Sequence, residues 1–121
     1  MSTLLLIEHD HSRIQEIREL LSDHFNVDVA FTGWEGLAAA MMYKPNLVLF
    51  NLNAHVMDGV EAVRLVRTEP ELKDLPVLGF TEPSVDIIEK EALNRGCTRI
   101  LSYPFDSGLP ALLKEYLPES S

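Results

Sequence analysis

Short apolar runs in this chain end on side chains that could do chemistry. Leu4-Leu5-Leu6-Ile7 leads into Glu8, His9 and Asp10, and Leu47-Val48-Leu49-Phe50 into Asn51, Leu52 and Asn53. Val77-Leu78-Gly79-Phe80 leads into Thr81 and Glu82, and the weaker Arg99-Ile100-Leu101 into Ser102, Tyr103 and Pro104. Gathered in one cleft, a carboxylate, an imidazole, an amide, a hydroxyl and a phenol could read a small polar molecule or hold a cation. Imidazole and carboxylate suit Zn²⁺ or Ni²⁺, so His9, His11, His55 and Asp10 form one candidate metal set. The plainer account is preferred: His55 lies on a solvated loop and Asp10 caps a helix. Cys97 with a histidine would suggest nucleophilic catalysis, but a buried free cysteine behaves as a small apolar residue. No glycine-rich phosphate loop is present, so nucleotide or flavin binding has no local motif behind it.

The elements that must position these residues follow from the hydrophobic pattern. The continuous apolar runs predict strands buried on both faces, as in a parallel sheet covered by helices. Val27-Asp28-Val29-Ala30-Phe31 alternates and predicts a more exposed strand. Between the strands, apolar residues recur at three and four: Ile14, Ile17, Leu20, Leu21; Trp34, Leu37, Ala38, Met41; Val60, Val63, Val66; Ile87, Ile88, Leu93; and Leu109, Leu112, Leu113, Tyr116. Each set predicts a helix with one apolar stripe. Strand–helix repeated five times implies right-handed crossovers and a single five-stranded α/β domain. The functional cleft of such a sheet lies beyond the carboxyl ends of its strands, where the polar residues above fall.

Length and charge set the outer bounds. The 121 residues amount to one domain, with Pro118-Glu119-Ser120-Ser121 as a terminal tail or the start of a linker. Ten Lys and Arg against 19 Asp and Glu leave a net charge of −9, against duplex nucleic acid or an anionic membrane as the main partner. No apolar run approaches the ~20 residues of a membrane span. Met1-Ser2-Thr3 carries no basic leader, and the cytoplasm is the default compartment.

Several stretches resemble the receiver domain of bacterial two-component response regulators. Residues 45–52 followed by Met57-Asp58-Gly59 resemble that family's third strand, phosphorylation loop and third-helix start. Leu75-Pro76-Val77-Leu78-Gly79-Phe80-Thr81 resembles its fourth strand, and Tyr103-Pro104-Phe105 stands where the family has Lys-Pro-Phe. The resemblance implies a flavodoxin-like fold of strand order 2-1-3-4-5. It also implies a phosphoacceptor aspartate, an acidic pair that helps bind Mg²⁺, a Thr or Ser, and a Lys.

Position by position, most of that machinery is replaced. Asn51 stands at the phosphoacceptor position, and an amide is a poor nucleophile without the charge to hold a divalent ion. The acidic pair reads Glu8-His9, so Glu8 and His9 are only weak metal candidates. Mg²⁺ prefers oxygen ligands, commonly carboxylates, and its binding is expected to be weak or absent; no other cofactor is implied. Tyr103 replaces the lysine. It is expected to fill the cleft, to hydrogen-bond to Glu8 or Asn51, and to form a cis bond to Pro104. Thr81 is retained. Ile100 replaces the switch aromatic, and Cys97 stands where a small residue packs. Asp58 is expected to cap the third helix rather than accept phosphate.

The function this implies is a non-enzymatic signalling module, a pseudo-receiver acting by protein–protein interaction without phosphorylation. Glu8, His9, Asn51, Thr81 and Tyr103 would form a vestigial pocket. Self-association or partner binding is expected on the face of helix 4, strand 5 and helix 5. Two alternatives stay open: the cleft reused for a small polar ligand or a metal, and phosphorylation of a non-standard acid such as Asp58 or Glu8. Trp34 is expected to lie at least partly in the core. Met42 and Tyr43 could offer a partner surface, although simple helix packing is preferred.

Overall fold

The computed structural model describes residues 1–53, 59–81 and 85–117. His55, Asp58, Glu82 and the 118–121 tail lie outside the described residues. Strands and helices alternate in the order β1 (Thr3–Ile7), α1 (His11–Leu21), β2 (Asn26–Ala30), α2 (Gly33–Tyr43), β3 (Leu47–Asn51), α3 (Gly59–Thr68), β4 (Val77–Phe80), α4 (Asp86–Asn94), β5 (Arg99–Ile100) and α5 (Leu109–Lys114). A single 3₁₀ turn, Pro70–Leu72, precedes β4. All neighbouring strands pair in parallel, in the order β2-β1-β3-β4-β5. This is the flavodoxin-like topology that the resemblance implies, and it is a five-stranded α/β domain as the repeat pattern implies.

Successive strand residues point to opposite faces, so each apolar run feeds two cores. Leu5, Ile7, Val48, Phe50 and Val77 pack with Val63, Val66 and Ala92 beneath α2, α3 and α4. Leu4, Leu6, Leu49, Leu78 and Phe80 pack with Ile14, Ile17, Leu21, Leu109 and Leu113 beneath α1 and α5. The central runs are continuous because both faces are covered. The edge strand β2 alternates because its outer residues are exposed.

Two helices turn a different face inward from the one their large apolar residues suggest. In α2 the buried residues are Gly33, Gly36 and Ala40, while Trp34, Met41, Met42 and Tyr43 are exposed. The expectation of a core role for Trp34 is therefore corrected. The reason is clearance: a Cβ on Gly36 would sit 2.2 Å from Ile7 Cδ1, so only small residues let this helix approach β1. In α4 the contact with the core is made by Ala92 and Ile88, and Ile87 and Leu93 face outward.

The end of the sheet opposite the cleft is tied by one side chain. The Arg67 guanidinium donates to the carbonyls of Gly96 at 2.8 Å, Leu72 at 3.2 Å, Lys73 at 3.3 Å and Leu75 at 2.6 Å. It also donates to Thr98 Oγ1 at 3.2 Å. Gly96 has a φ of 114°, and a Cβ there would lie 2.6 Å from Arg67 Cγ, so both backbone shape and space call for glycine.

Cys97 is buried beside this tie, its Sγ donating to Val77 O at 3.3 Å and Arg99 O at 3.4 Å. Burial pushes its thiol above the usual range. With the folded-state value above the unfolded one, this contribution to stability is present below the unfolded value and is lost as pH rises through the folded one. Cys97 is expected to resist iodoacetamide in the native state and to react fully once unfolded, as read by intact mass. Equal rates in both states would mean that the thiol is accessible after all.

Candidate functional site

The carboxyl ends of β1, β3 and β4 bring together Glu8, Asn51 and Thr81, the buried polar residues of the described chain. Glu8 follows β1 directly and is 0% exposed. Its Oε1 forms an ion pair with the Arg13 guanidinium. Its Oε2 accepts a hydrogen bond from Asn51 Nδ2 at 2.6 Å. Asn51 Oδ1 in turn accepts the Asn53 backbone N–H at 2.9 Å. Both carboxylate oxygens are thus engaged, one by a cation the chain itself supplies.

Arg13 belongs to this site, and neither its type nor its spacing marks it out in the way the post-strand residues are marked. A weaker signal exists. Arg13 lies in the first turn of α1, where a positive charge opposes the helix dipole. An arginine held there calls for a fixed anion nearby, and Glu8 five residues earlier is that anion. Asp10 sets the geometry by capping α1, its carboxylate accepting from Arg13 N at 2.9 Å. That backbone hydrogen bond is the main cause holding the Asp10 carboxyl below the usual carboxylate range.

Tyr103 and Thr81 lie near Asn51 in the fold but bond elsewhere. The Tyr103 ring stacks on Phe80 with centroids 5.6 Å apart and meets Phe105 edge-on at 5.2 Å. It also lies 5.7 Å beneath the Arg13 guanidinium carbon, within cation–π reach. Its hydroxyl donates to Glu16 on α1, at 3.0 and 3.2 Å from the two carboxylate oxygens. The expected bond to Glu8 or Asn51 is therefore corrected: the aromatic stack aims the phenol outward along α1. The Tyr103–Pro104 bond is cis, as expected. The Thr81 hydroxyl donates to Glu89 Oε2 at 2.7 Å and accepts from Val85 N at 3.1 Å, which ties it to the start of α4.

His9, His11 and Asp10, the other described candidates, form no metal set. His9 follows Glu8 and is partly exposed. His11 meets the Phe31 ring edge-on at 5.8 Å. Among the described residues, no group of three or more His, Cys, Asp or Glu side chains could hold a metal ion. A depression of about 280 Å³ beside the site is lined by Thr81, Glu89, Ile100, Leu101, Ser102 and Tyr103. Neither Glu8 nor Asn51 lines it.

A parallel sheet of order 2-1-3-4-5, with polar side chains gathered at the carboxyl ends of β1, β3 and β4, defines a doubly wound α/β domain. Its cleft lies at the topological switch point. The family model of the response regulator receiver domain matches residues 4–114, and the chain belongs to that family. The chemotaxis response regulator CheY4 of Vibrio cholerae is similar at a TM-score of 0.86 and 28% identity, over 97% of this chain and 99% of that one. The probable transcriptional regulator ycf29 of Porphyra purpurea is 32% identical over 98% of this chain and 57% of its own length. The response regulator ArlR of Staphylococcus aureus is 26% identical over 88% of this chain and 48% of its own length. The chain spans about half the length of these two curated relatives. A receiver domain from the histidine kinase PA1611 of Pseudomonas aeruginosa, with magnesium coordinated in its cleft, shares the fold at a TM-score of 0.87 and 20% identity. The chain is thus a two-component receiver domain, a signalling module by family. No helix among the described residues is long and apolar enough to cross a membrane.

Proposed function

We propose that this receiver works without phosphorylation, as a non-catalytic module that signals by binding protein partners in a two-component-type pathway. The observation that carries this reading is the Glu8–Arg13 pair closed by Asn51. Mg²⁺ takes oxygen ligands at near-ideal octahedral geometry. Here the buried carboxylate already faces a guanidinium, and His9 and Asn51 bring no negative charge. This donor set does not fit Mg²⁺. Asn51 has no carboxylate to attack a phosphoryl donor, Tyr103 is bonded to Glu16, and Thr81 is bonded to Glu89. The proposed partner surface is the α4–β5–α5 face, where Lys90, Glu91, Arg95, Arg99, Lys114 and Glu115 are exposed with mixed signs.

The test is the change that restores the acceptor alone. Asn51→Asp is expected to gain no mass on incubation with acetyl phosphate and Mg²⁺, because Arg13, His9 and Tyr103 remain in place. The unaltered chain is expected to behave the same way. One added phosphate on either protein would sink the proposal.

A further inference from the structure

The layer formed by α2, α3 and α4 ends at α2, and the outer side of α2 is covered by nothing among the described residues. Burying Gly33, Gly36 and Ala40 against the sheet turns the large residues outward: Met42 is 72% exposed, Tyr43 68% and Trp34 55%. Met41 extends the same surface. Trp34, Ala38, Met41 and Met42 follow helical spacing, so they share one side of the helix.

We propose that this face pairs with the same face of a second copy of this chain, α2 against α2, antiparallel about a twofold axis at Ala38. Area is the first argument. At about 150–250 Å² for a large side chain, the exposed parts of Trp34, Met41 and Met42, with Ala38, offer on the order of 400 Å². Twofold pairing doubles that to about 800 Å², the size of a weak, transient interface. A single patch of this size is within the range of the largest patch on a typical monomer, which is often functional.

Charge is the second argument. Two bodies of net charge −9 repel each other least where they meet on a face with few acids. Within α2, Glu35 is the only ionisable acid or base apart from the Tyr43 phenol. Lys44 follows directly, in an exposed pair with Glu71 at 3.1 Å. Such a pair is weak enough to exchange partners. An antiparallel arrangement brings Glu35 of one copy within about a turn of Lys44 of the second copy.

Shape is the third argument. Ala38 at the crossing point allows close approach, and it lies four residues from both Trp34 and Met42. Each Trp34 then packs on Met42 of the second copy, a favourable sulfur–aromatic contact. The α4–β5–α5 face stays open, since α3 separates α2 from α4.

Trp34 is the only tryptophan, so its emission reports on this contact directly. Sedimentation equilibrium over a concentration series is expected to show a monomer–dimer transition. Trp34 emission should shift to shorter wavelength over the same range. Met42→Glu is expected to stay monomeric with an exposed-indole spectrum, while its circular dichroism remains that of the unaltered chain. Met42 is exposed, so its replacement leaves folding intact. Ala38→Arg, also at an exposed position, should give the same result. A chain that stays monomeric to millimolar concentration would overturn the proposal and assign the face to another occupant. A dimer untouched by both substitutions would overturn it by placing the interface elsewhere.

Discussion

Arg13→Ala is expected to destabilise the domain by about 3–5 kcal/mol, the range for removing one member of a buried ion pair. Glu8 is fully buried with its Oε1 against the Arg13 guanidinium. Without Arg13 it retains only the Asn51 amide. A domain of this size has on the order of 5–15 kcal/mol of stability in total, so the change removes a large share of it. Urea denaturation would read the loss as a lower midpoint. The double variant Arg13→Ala, Glu8→Gln is expected to recover more than half, because it removes the stranded charge along with its partner. That recovery separates the ion pair from simple loss of arginine packing on Tyr103. A loss below about 1 kcal/mol, typical of solvent-exposed pairs, would show that Glu8 is solvated and would remove the main support for a metal-free cleft.

Arg67→Ala is the second large effect, expected at about 3 kcal/mol from carbonyls left short of donors. Arg67 holds four carbonyls and one hydroxyl from two stretches of chain, 72–75 and 96–98. The thermal midpoint followed by circular dichroism should fall by about 10 °C. Arg67→Lys is expected to recover less than half of this, since an ammonium cannot reach several separated carbonyls as a planar fork does. Full recovery with lysine would mean that charge, and not the hydrogen-bond geometry, holds this end together.

The strands were legible because burial on both faces leaves unbroken apolar runs, as at Leu4–Ile7 and Leu47–Phe50, whereas their order was legible only through the family resemblance. The α1 and α3 stripes were legible for the companion reason: Ile14, Ile17 and Leu21, and Val63 and Val66, are both large and buried. In α2 this logic reverses. The sheet approaches so closely that glycine and alanine face it, and a search for large apolar residues selects the solvent side. The site was legible to the extent that it follows strand ends, which places Glu8, Asn51 and Thr81. Side chains that reach back across several ångströms escape such a reading. Arg13 reaches the site from the next helix, and Tyr103 leaves it for Glu16. Both depend on rotamer and on neighbours from other elements, information that spacing along one segment does not carry.

A guanidinium built into α1 has no dissociation equilibrium. On the proposed reading it stands beside Glu8 in place of a metal ion, so magnesium, chelators and phosphate donors would not act as a dial for the cleft. What can vary is how many copies of the chain exist. With pairing through α2, scarce dimer rises as the square of free monomer, so a twofold change in abundance becomes a fourfold change in the paired form. Such a module would report dosage, and its regulation would lie in synthesis and turnover.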